Sequence, residues 1–431
     1  MSVPGHRPPF TDMPDNHNVL SGRRAWRMLL ILCSGFMLSQ AYRTIAAIMA
    51  APLAREFSLD AQALGLFAGT FHFAFGALQL FMGIGIDLHG LRRTVLVAFP
   101  MAIVGAVLSA LAPSFQWLLL GQVLIGIGCA PAFLVCTVFI ARQFAPERFA
   151  AVSGAILGIG SLGMVLTGTP LAWLIEISSW RMAFWVLAAL SVLAWAAIAL
   201  WVREPHAPVP ATAPRESLAE AVRGFARLLA LPHTLGIVAL GLVTYASFVA
   251  LRGLWLGPVL MQRHGFSLVS SGNVALVMTL IGMISPPLFG RLDPGPTRRR
   301  QWLVGFTFVV AALFAVLGVA VHPAADVALI LVIGFLSGYM VLQYPDVKSA
   351  YPAAVTGRAM ALFTMSMFLG VALMQWVTGV IATQAQAMGI DPFLAVFMAI
   401  GAMLALGALC FVWLPKPPVV PAVPRAGLSG G

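Results

Sequence analysis

The chain has 431 residues, 60% of them hydrophobic and 9% charged, where an average soluble domain is roughly 25% charged. That composition excludes a water-soluble enzyme or binding module. The formal net charge of +11 does not mark a nucleic-acid surface, because of where the basic residues fall.

Crossing a bilayer takes about 20 apolar residues, and such runs recur along nearly the whole length. In chain order the pattern predicts helices over 28–53, 61–86, 94–112, 118–141, 150–174 and 182–201, then over 235–261, 268–289, 302–321, 327–344, 359–384 and 393–414. The expected fold is an all-α membrane protein of twelve transmembrane helices in two six-helix pseudo-symmetric halves. Its parts are a cytoplasmic tail (1–24), a first half (25–202), a cytoplasmic linker (203–231), a second half (232–414) and a second cytoplasmic tail (415–431). Arg23, Arg24 and Arg27 precede the first run as they would a secretory signal. At about 26 residues the run is too long for a signal core, so an uncleaved helix is expected.

The linker opens rich in Pro and Ala and then changes character. Ser217 and Glu220 have capping-box spacing, and Leu218, Ala221, Val222, Phe225, Leu228 and Leu229 form a stripe that leaves Arg223 and Arg227 outside it. That predicts a short helix lying on the membrane interface. Both tails are rich in Pro and Gly, the composition of mobile segments.

On an alternating layout that starts inside, the outer loops hold only Arg55, Arg181 and Arg263, and Arg43 and Arg252 fall within spans. All other Lys and Arg residues lie on the inner side. This asymmetry puts both termini in the cytoplasm, in a bacterial-type inner membrane. Cys33, Cys129, Cys136 and Cys410 sit in apolar stretches with no CxxC pair and no His at ligand spacing. They read as small hydrophobes, and no metal or cofactor is expected.

Comparing the halves reveals a repeat. Phe57-Ser58-Leu59 recurs as Phe266-Ser267-Leu268, and Arg43 recurs as Arg252, each 209 positions on. Gly83, Asp87 and Arg92-Arg93 find counterparts in Gly290, Asp293 and Arg298-Arg299-Arg300. A duplicated six-helix unit is how many transporters are built, with the substrate site near the midplane between repeats.

The segment running from Gly83 through Asp87 and Gly90 to Arg92 and Arg93 resembles the signature loop of the major facilitator superfamily. The resemblance covers essentially the whole chain. It implies that Gly83, Asp87, Gly90, Arg92 and Arg93 latch the cytoplasmic gate, although Leu88 and Leu91 stand where the family usually has basic residues. Within that superfamily, Arg43 and Arg252 resemble the cavity arginines of the organophosphate permeases. Gln79 replaces their lysine, however, and Gly160 falls near their histidine. Among the anion:cation symporters an aspartate precedes the first arginine, where this chain has Tyr42. Gln122 replaces the helix-four arginine of proton-coupled members, and the helix-five Gly-Pro element of drug/proton antiporters is altered to Thr167-Gly168-Thr169-Pro170.

An arginine near the bilayer centre costs about 2.5–3.5 kcal/mol on insertion scales. Arg43 and Arg252 each fall roughly 5 Å to the outer side of the midplane. Snorkelling would have to cover most of a half-bilayer of roughly 15 Å. Two guanidinium forks facing one cavity suit a carboxylate or phosphate instead. Gln40 lies one turn before Arg43, while Tyr245 and Phe248 share a stripe with Arg252, so the expected substrate-binding set is Arg43, Arg252, Gln40, Gln79 and Tyr245. His72 is the candidate for proton coupling. Gln122, Tyr339 and Gln375 are further polar groups inside spans, read as contacts between helices. The glycines Gly126, Gly128, Gly154, Gly158, Gly160 and Gly163 read as close-packing positions, and Pro286, Pro287 and Pro345 as kinks.

These features describe a monomeric secondary transporter, not an enzyme. The expected substrate is a small organic anion carried by alternating access, with uptake preferred and a proton or counter-anion as coupling partner. Two rivals stand beside it: a proton-coupled exporter of drugs or metabolites on the same fold, and a non-transporting membrane sensor. No nucleotide-binding loop or catalytic constellation is present in the sequence.

Overall fold

In a hydrocarbon environment every backbone N–H and C=O needs an internal partner, and a helix supplies one at each residue. The computed structural model, which describes residues 22–145, 148–203, 218–320 and 322–415, contains only helices and connecting turns among those residues. The first half comprises α1 (Gly22–Thr44), α2 (Ala46–Phe57), α3 (Ala61–Ala77), α4 (Gln79–His89), α5 (Leu91–Ala110), α6 (Phe115–Cys129), α7 (Ala132–Gln143), α8 (Phe149–Leu166), α9 (Thr169–Ile177) and α10 (Trp180–Trp201). After the linker come α11 (Leu218–Leu229) and α12 (Pro232–Ala250), then a π-helical turn (Leu251–Trp255), α13 (Leu256–Pro258) and a second π turn (Val259–Arg263). The remainder is α14 (Leu268–Arg291), α15 (Pro296–Val319), α16 (Pro323–Leu336), a 3-10 turn (Ser337–Leu342), α17 (Gln343–Ala350), α18 (Ala353–Ala387) and α19 (Pro392–Trp413).

Ten of these runs are each long and apolar enough to cross a bilayer, and α1 with α2, bent by 47°, makes an eleventh. Residues 61–86, the remaining predicted crossing, are occupied by α3 and α4, 17 and 11 residues long with Leu78 between them, each shorter than the roughly 20 residues that a crossing takes. Side-chain caps mark where several helices begin: Asp60 accepts from the Ala63 N–H at 2.8 Å and Ser267 from that of Ser270 at 3.0 Å. An N-terminal cap of this kind satisfies a donor that the helix cannot.

One end of the bundle carries the first and last described residues and is called the terminal face; the other is the distal face. On the distal side the halves meet through small residues. A Cβ on Gly65 of α3 would overlap the Gln375 carbonyl of α18, and one on Gly69 would stand 2.8 Å from the Ala372 carbonyl. A Cβ on Gly257 of α13 would overlap the carbonyl of Ala47 in α2, while Gly168 and Gly272 back onto each other between α8 and α14. Glycine allows these backbones to approach closely. Towards the terminal face, by contrast, Gly154 and Gly158 of α8 have no neighbour within 4 Å of a built Cβ. The glycine stripe thus divides: Gly160 and Gly163 pack on Phe36 and Met37 of α1, Gly126 on α3 and Gly128 on Ala102, while the first two glycines face open space.

The repeat is visible in backbone geometry. Gly90 (φ 82°) before α5 and Gly295 (φ 83°) before α15 adopt the same left-handed conformation, which an L side chain resists. Proline behaves less uniformly. α14 runs without a break through Pro286 and Pro287. The span containing Pro345 changes over Ser337–Leu342, just ahead of that proline, which has no N–H for the carbonyl four residues back.

Within the linker, α11 buries Phe225 and Leu228 and leaves Arg223 and Arg227 exposed. Ser217, its predicted cap, lies outside the described residues, as do 1–21 and 416–431 of the tails.

Candidate functional site

Both intramembrane arginines stand where helical hydrogen bonding is interrupted. Arg43 occupies the last turn of α1, just before the bend into α2. The neighbouring Thr44 hydroxyl lies 3.2 Å from the Gln40 carbonyl and 2.7 Å from the Thr167 hydroxyl. Bonding of a threonine to the carbonyl four residues back bends helices. Arg252 lies in the π turn Leu251–Trp255, and such turns often occur at functional sites. Pro258, downstream, has no N–H to offer the Leu254 carbonyl.

Each arginine reaches into the opposite half. Arg43 Nη1 donates to the Tyr245 hydroxyl on α12 at 3.0 Å. Its guanidinium carbon lies 5.0 Å from the ring centre of Phe75 on α3 and 4.7 Å from that of Phe368 on α18, so one ring from each half holds it by cation–π attraction. Arg252, which is 0% exposed, donates from Nε to the Thr279 hydroxyl at 3.2 Å and from Nη2 to the Met164 carbonyl at 3.0 Å.

That carbonyl is available because α8 stops. The Gly168 N–H, which would continue the helix onto Met164, bonds instead to the Val165 carbonyl at 3.0 Å. Thr167-Gly168-Thr169-Pro170 therefore forms a hub. Its hydroxyls meet Thr44 of α1 at 2.7 Å and Asn273 of α14 at 2.5 Å, and the break presents Met164 to Arg252.

Neither arginine has a carboxylate within ion-pair distance among the described residues. Arg43 Nε and Arg252 Nη1 are buried donors without an acceptor, and the Gln40 carbonyl oxygen is likewise unpartnered. Taking a charge out of water costs several kcal/mol even after relaxation. The site therefore has two buried positive charges, free N–H groups and apolar walls, and what it lacks is negative charge.

The remaining predicted residues are distributed as follows. Gln40 directs its amide to the Met164 sulfur at 3.8 Å, which brings it beside the acceptor of Arg252. Tyr245, expected beside Arg252, instead bonds Arg43, while Phe248 packs towards Gly282 of α14. Gln79 lies half-buried and donates to the Ala130 carbonyl, at the break between α6 and α7, at 3.2 Å. His72, 1% exposed, uses Nδ1 to donate to the Ala68 carbonyl of its own helix at 3.0 Å, leaving Nε2 without a partner. Gln375 is fully buried with neither amide atom partnered, and Tyr339 pairs with Thr307 at 2.7 Å.

In the gate motif, Gly90 makes the left-handed turn, Arg92 donates to the Ala199 carbonyl at 2.7 Å, Arg93 is exposed and Gly83 faces open space. The Asp87 side chain lies outside the described residues. In the second copy, Arg299 grips Asp293 through contacts of 2.6 and 3.0 Å. The Arg299 hydrogen bonds hold the Asp293 carboxyl below the usual carboxylate range.

Phe75, Phe368, Thr279 and Met164 belong to the arginine environment but carry no signal of their own in the sequence. Three are common core residues, and the fourth meets Arg252 through its backbone carbonyl. The altered Gly-Pro element was the available clue to Met164, since a helix break in the middle of a span frees carbonyls.

Comparison with known proteins agrees with this architecture. Over 434 aligned residues, covering 94% of this chain and 95% of the relative, the sequence is 26% identical to an MFS-type efflux pump of Mycolicibacterium smegmatis. Among solved structures, a bacterial homolog of the human lysosomal transporter Spinster, in an inward-facing and unoccupied conformation, superposes with a TM-score of 0.68 at 18% identity, covering 91% of this chain and 96% of that one. A D-xylose-proton symporter superposes with a TM-score of 0.71 at 16% identity, covering 91% and 98%. At such identities the structures speak for the fold alone. The family model of the Major Facilitator Superfamily matches residues 31–347, so the chain belongs to the Major Facilitator Superfamily and is an integral membrane transporter of small molecules rather than an enzyme.

Proposed function

We propose that this transporter carries a small organic anion by alternating access, binding it between the halves at Arg43 and Arg252 with Gln40 and Tyr245 as supporting groups. The observation that carries this reading is reciprocity: each arginine reaches into the other half, and neither has a carboxylate partner among the described residues. An anion bound there neutralises both charges and takes up free N–H groups on both sides. It therefore couples occupancy to the relative position of the halves, which is what a rocking transporter requires. With both termini in the cytoplasm of a bacterial-type inner membrane, the close-packed distal seam corresponds to a closed outer side. We assign uptake, because the antiporter element is altered to Thr167-Gly168-Thr169-Pro170.

Similarity over nearly the whole chain to a protein described as an efflux pump favours a second reading, proton-driven export, in which His72 carries the proton and the arginines hold structure. Flux in reconstituted vesicles separates the two. An anion site requires Arg43→Gln and Arg252→Gln to abolish saturable anion transport; unchanged transport in both variants removes it.

A further inference from the structure

On the distal side of the Arg43 guanidinium lie polar groups that a bare anion leaves unused. Phe75 and Phe368, the two rings against the guanidinium, share their helix sides with His72 and Gln375. His72 precedes Phe75 by three residues on α3, about 4.5 Å along the axis, and Gln375 follows Phe368 by two turns on α18. Gln375 is among the groups around His72. A Cβ on Gly253, the residue after Arg252, would stand 3.6 Å from Gln375 Nε2 and 3.5 Å from the Arg43 carbonyl. The pair therefore joins α3 of the first half to α18 of the second, next to both arginines.

What these groups lack is specific. His72 Nδ1 donates to the Ala68 carbonyl, so the neutral ring presents a lone pair at Nε2. Neither that atom nor either amide atom of Gln375 has a hydrogen-bond partner among the described residues. Buried polar groups are generally paired, and each orphan calls for an explanation. A carboxylate accounts for the donors Arg43 Nε and Arg252 Nη1, but it has no hydrogen to give His72 Nε2 or the amide oxygens of Gln375 and Gln40. A hydroxyl donates as well as accepts.

We propose that the transported anion is a hydroxycarboxylate: its carboxylate binds at Arg43 and Arg252, and its hydroxyl donates to His72 Nε2 or Gln375 Oε1. This rests on the anion-site reading of the two arginines and adds a specificity-determining pair to it. A deoxy analogue leaves the buried acceptors unpaired, which is how a site built for a hydroxyl rejects a ligand without one. Because His72 and Gln375 come from opposite halves, the hydroxyl is read where the halves close on each other.

The test titrates the full-length protein, in nanodiscs of neutral lipid, calorimetrically with butanoate and with the butanoates hydroxylated at the second, third or fourth carbon. Butanediol is the uncharged control. Preference is the ratio of dissociation constants, butanoate over hydroxybutanoate, within each variant. In the wild type the best hydroxybutanoate should bind roughly tenfold tighter or more. In His72→Phe and in Gln375→Leu that ratio should fall below about threefold, and either variant decides if the other fails to fold. His72→Gln, which keeps an acceptor, should retain most of the preference. Arg252→Gln should weaken all four carboxylates to a similar extent.

Equal binding of all four carboxylates to the wild type overturns the hydroxyl reading while leaving the anion site standing. A preference that survives both His72→Phe and Gln375→Leu overturns the assignment to this pair. Butanediol binding that matches the hydroxybutanoates and survives Arg252→Gln overturns the anion site and identifies the ligand as a neutral alcohol. Absence of carboxylate binding to the wild type overturns both readings.

Discussion

Arg43 and Tyr245, one from each half of the molecule, are joined by a hydrogen bond of 3.0 Å at the centre of the bundle. Arg252 makes the reverse connection, from the second half to the Met164 carbonyl of the first. Paired crossing contacts of this kind join the halves in the relative position seen here. A ligand that takes up the unpartnered Arg43 Nε and Arg252 Nη1 beside these contacts changes the balance between positions by its differential affinity for them.

Tyr245→Phe removes the acceptor but keeps the ring that packs edge-on to Phe368. Hydrogen bonds to charged groups contribute about 1.5–3 kcal/mol. The expected result is a KM for anion transport raised roughly tenfold, with melting temperature little changed. Normal KM would show that Tyr245 does not orient Arg43.

Gly65 sits in the distal seam, facing the Gln375 carbonyl. A valine there cannot fit unless α3 and α18 separate, so Gly65→Val should favour the conformation opened towards the distal face. Placed in that background, Ala372→Cys should become reactive to an impermeant thiol reagent added from the distal side, whereas Ala372→Cys alone, at a position now 8% exposed, should stay protected. Equal labelling of both would mean that this seam does not close the distal side.

How much of this was legible beforehand depended on which chemistry each feature used. Hydropathy marked the spans because lipid demands continuous apolar helices, and the repeat marked both arginines because charge inside a span is rare. Side-chain partners were a different matter. Tyr245 and Arg252 share a helical stripe, yet Tyr245 meets Arg43 of the other half instead. Phe75 and Phe368 looked like any core phenylalanine until the fold placed the two rings, 4.5 Å apart, against one guanidinium. Pro286 and Pro287, read as kink positions, both lie inside α14, which continues through them.

Arg263 anchors the distal end of the second half. With its side chain 6% exposed, it donates to the carbonyls of Leu317, Gly318 and Ala320 at 3.0–3.1 Å and contacts Asp326 at 3.3 Å and Asp391 at 2.7 Å. Asp326 is fully buried and also lies 2.7 Å from His264 Nε2. Removing one partner of a buried pair typically costs about 3–5 kcal/mol. Arg263→Ala should therefore lower the melting temperature of the purified transporter, and adding Asp326→Asn should recover part of the loss. No change in either variant would mean the cluster is not holding these four helices together.

His72 separates the two readings of energy coupling. Its Nδ1 is committed to the Ala68 carbonyl, and Arg43 and Gln375 are among the groups around it. If the anion site is the whole mechanism, His72→Gln should leave exchange within about twofold of wild type and its response to a pH gradient unchanged, an effect of under about 0.5 kcal/mol. Loss of gradient-driven accumulation with exchange retained would instead assign the coupling proton to His72.

Saturable anion flux in vesicles reconstituted with wild type, Arg43→Gln, Arg252→Gln and the two corresponding lysine variants tests the anion site most directly. Loss in both glutamine variants, with partial recovery by lysine because it restores charge without the planar fork, is the predicted result. Saturable flux at the wild-type level in both glutamine variants would contradict it.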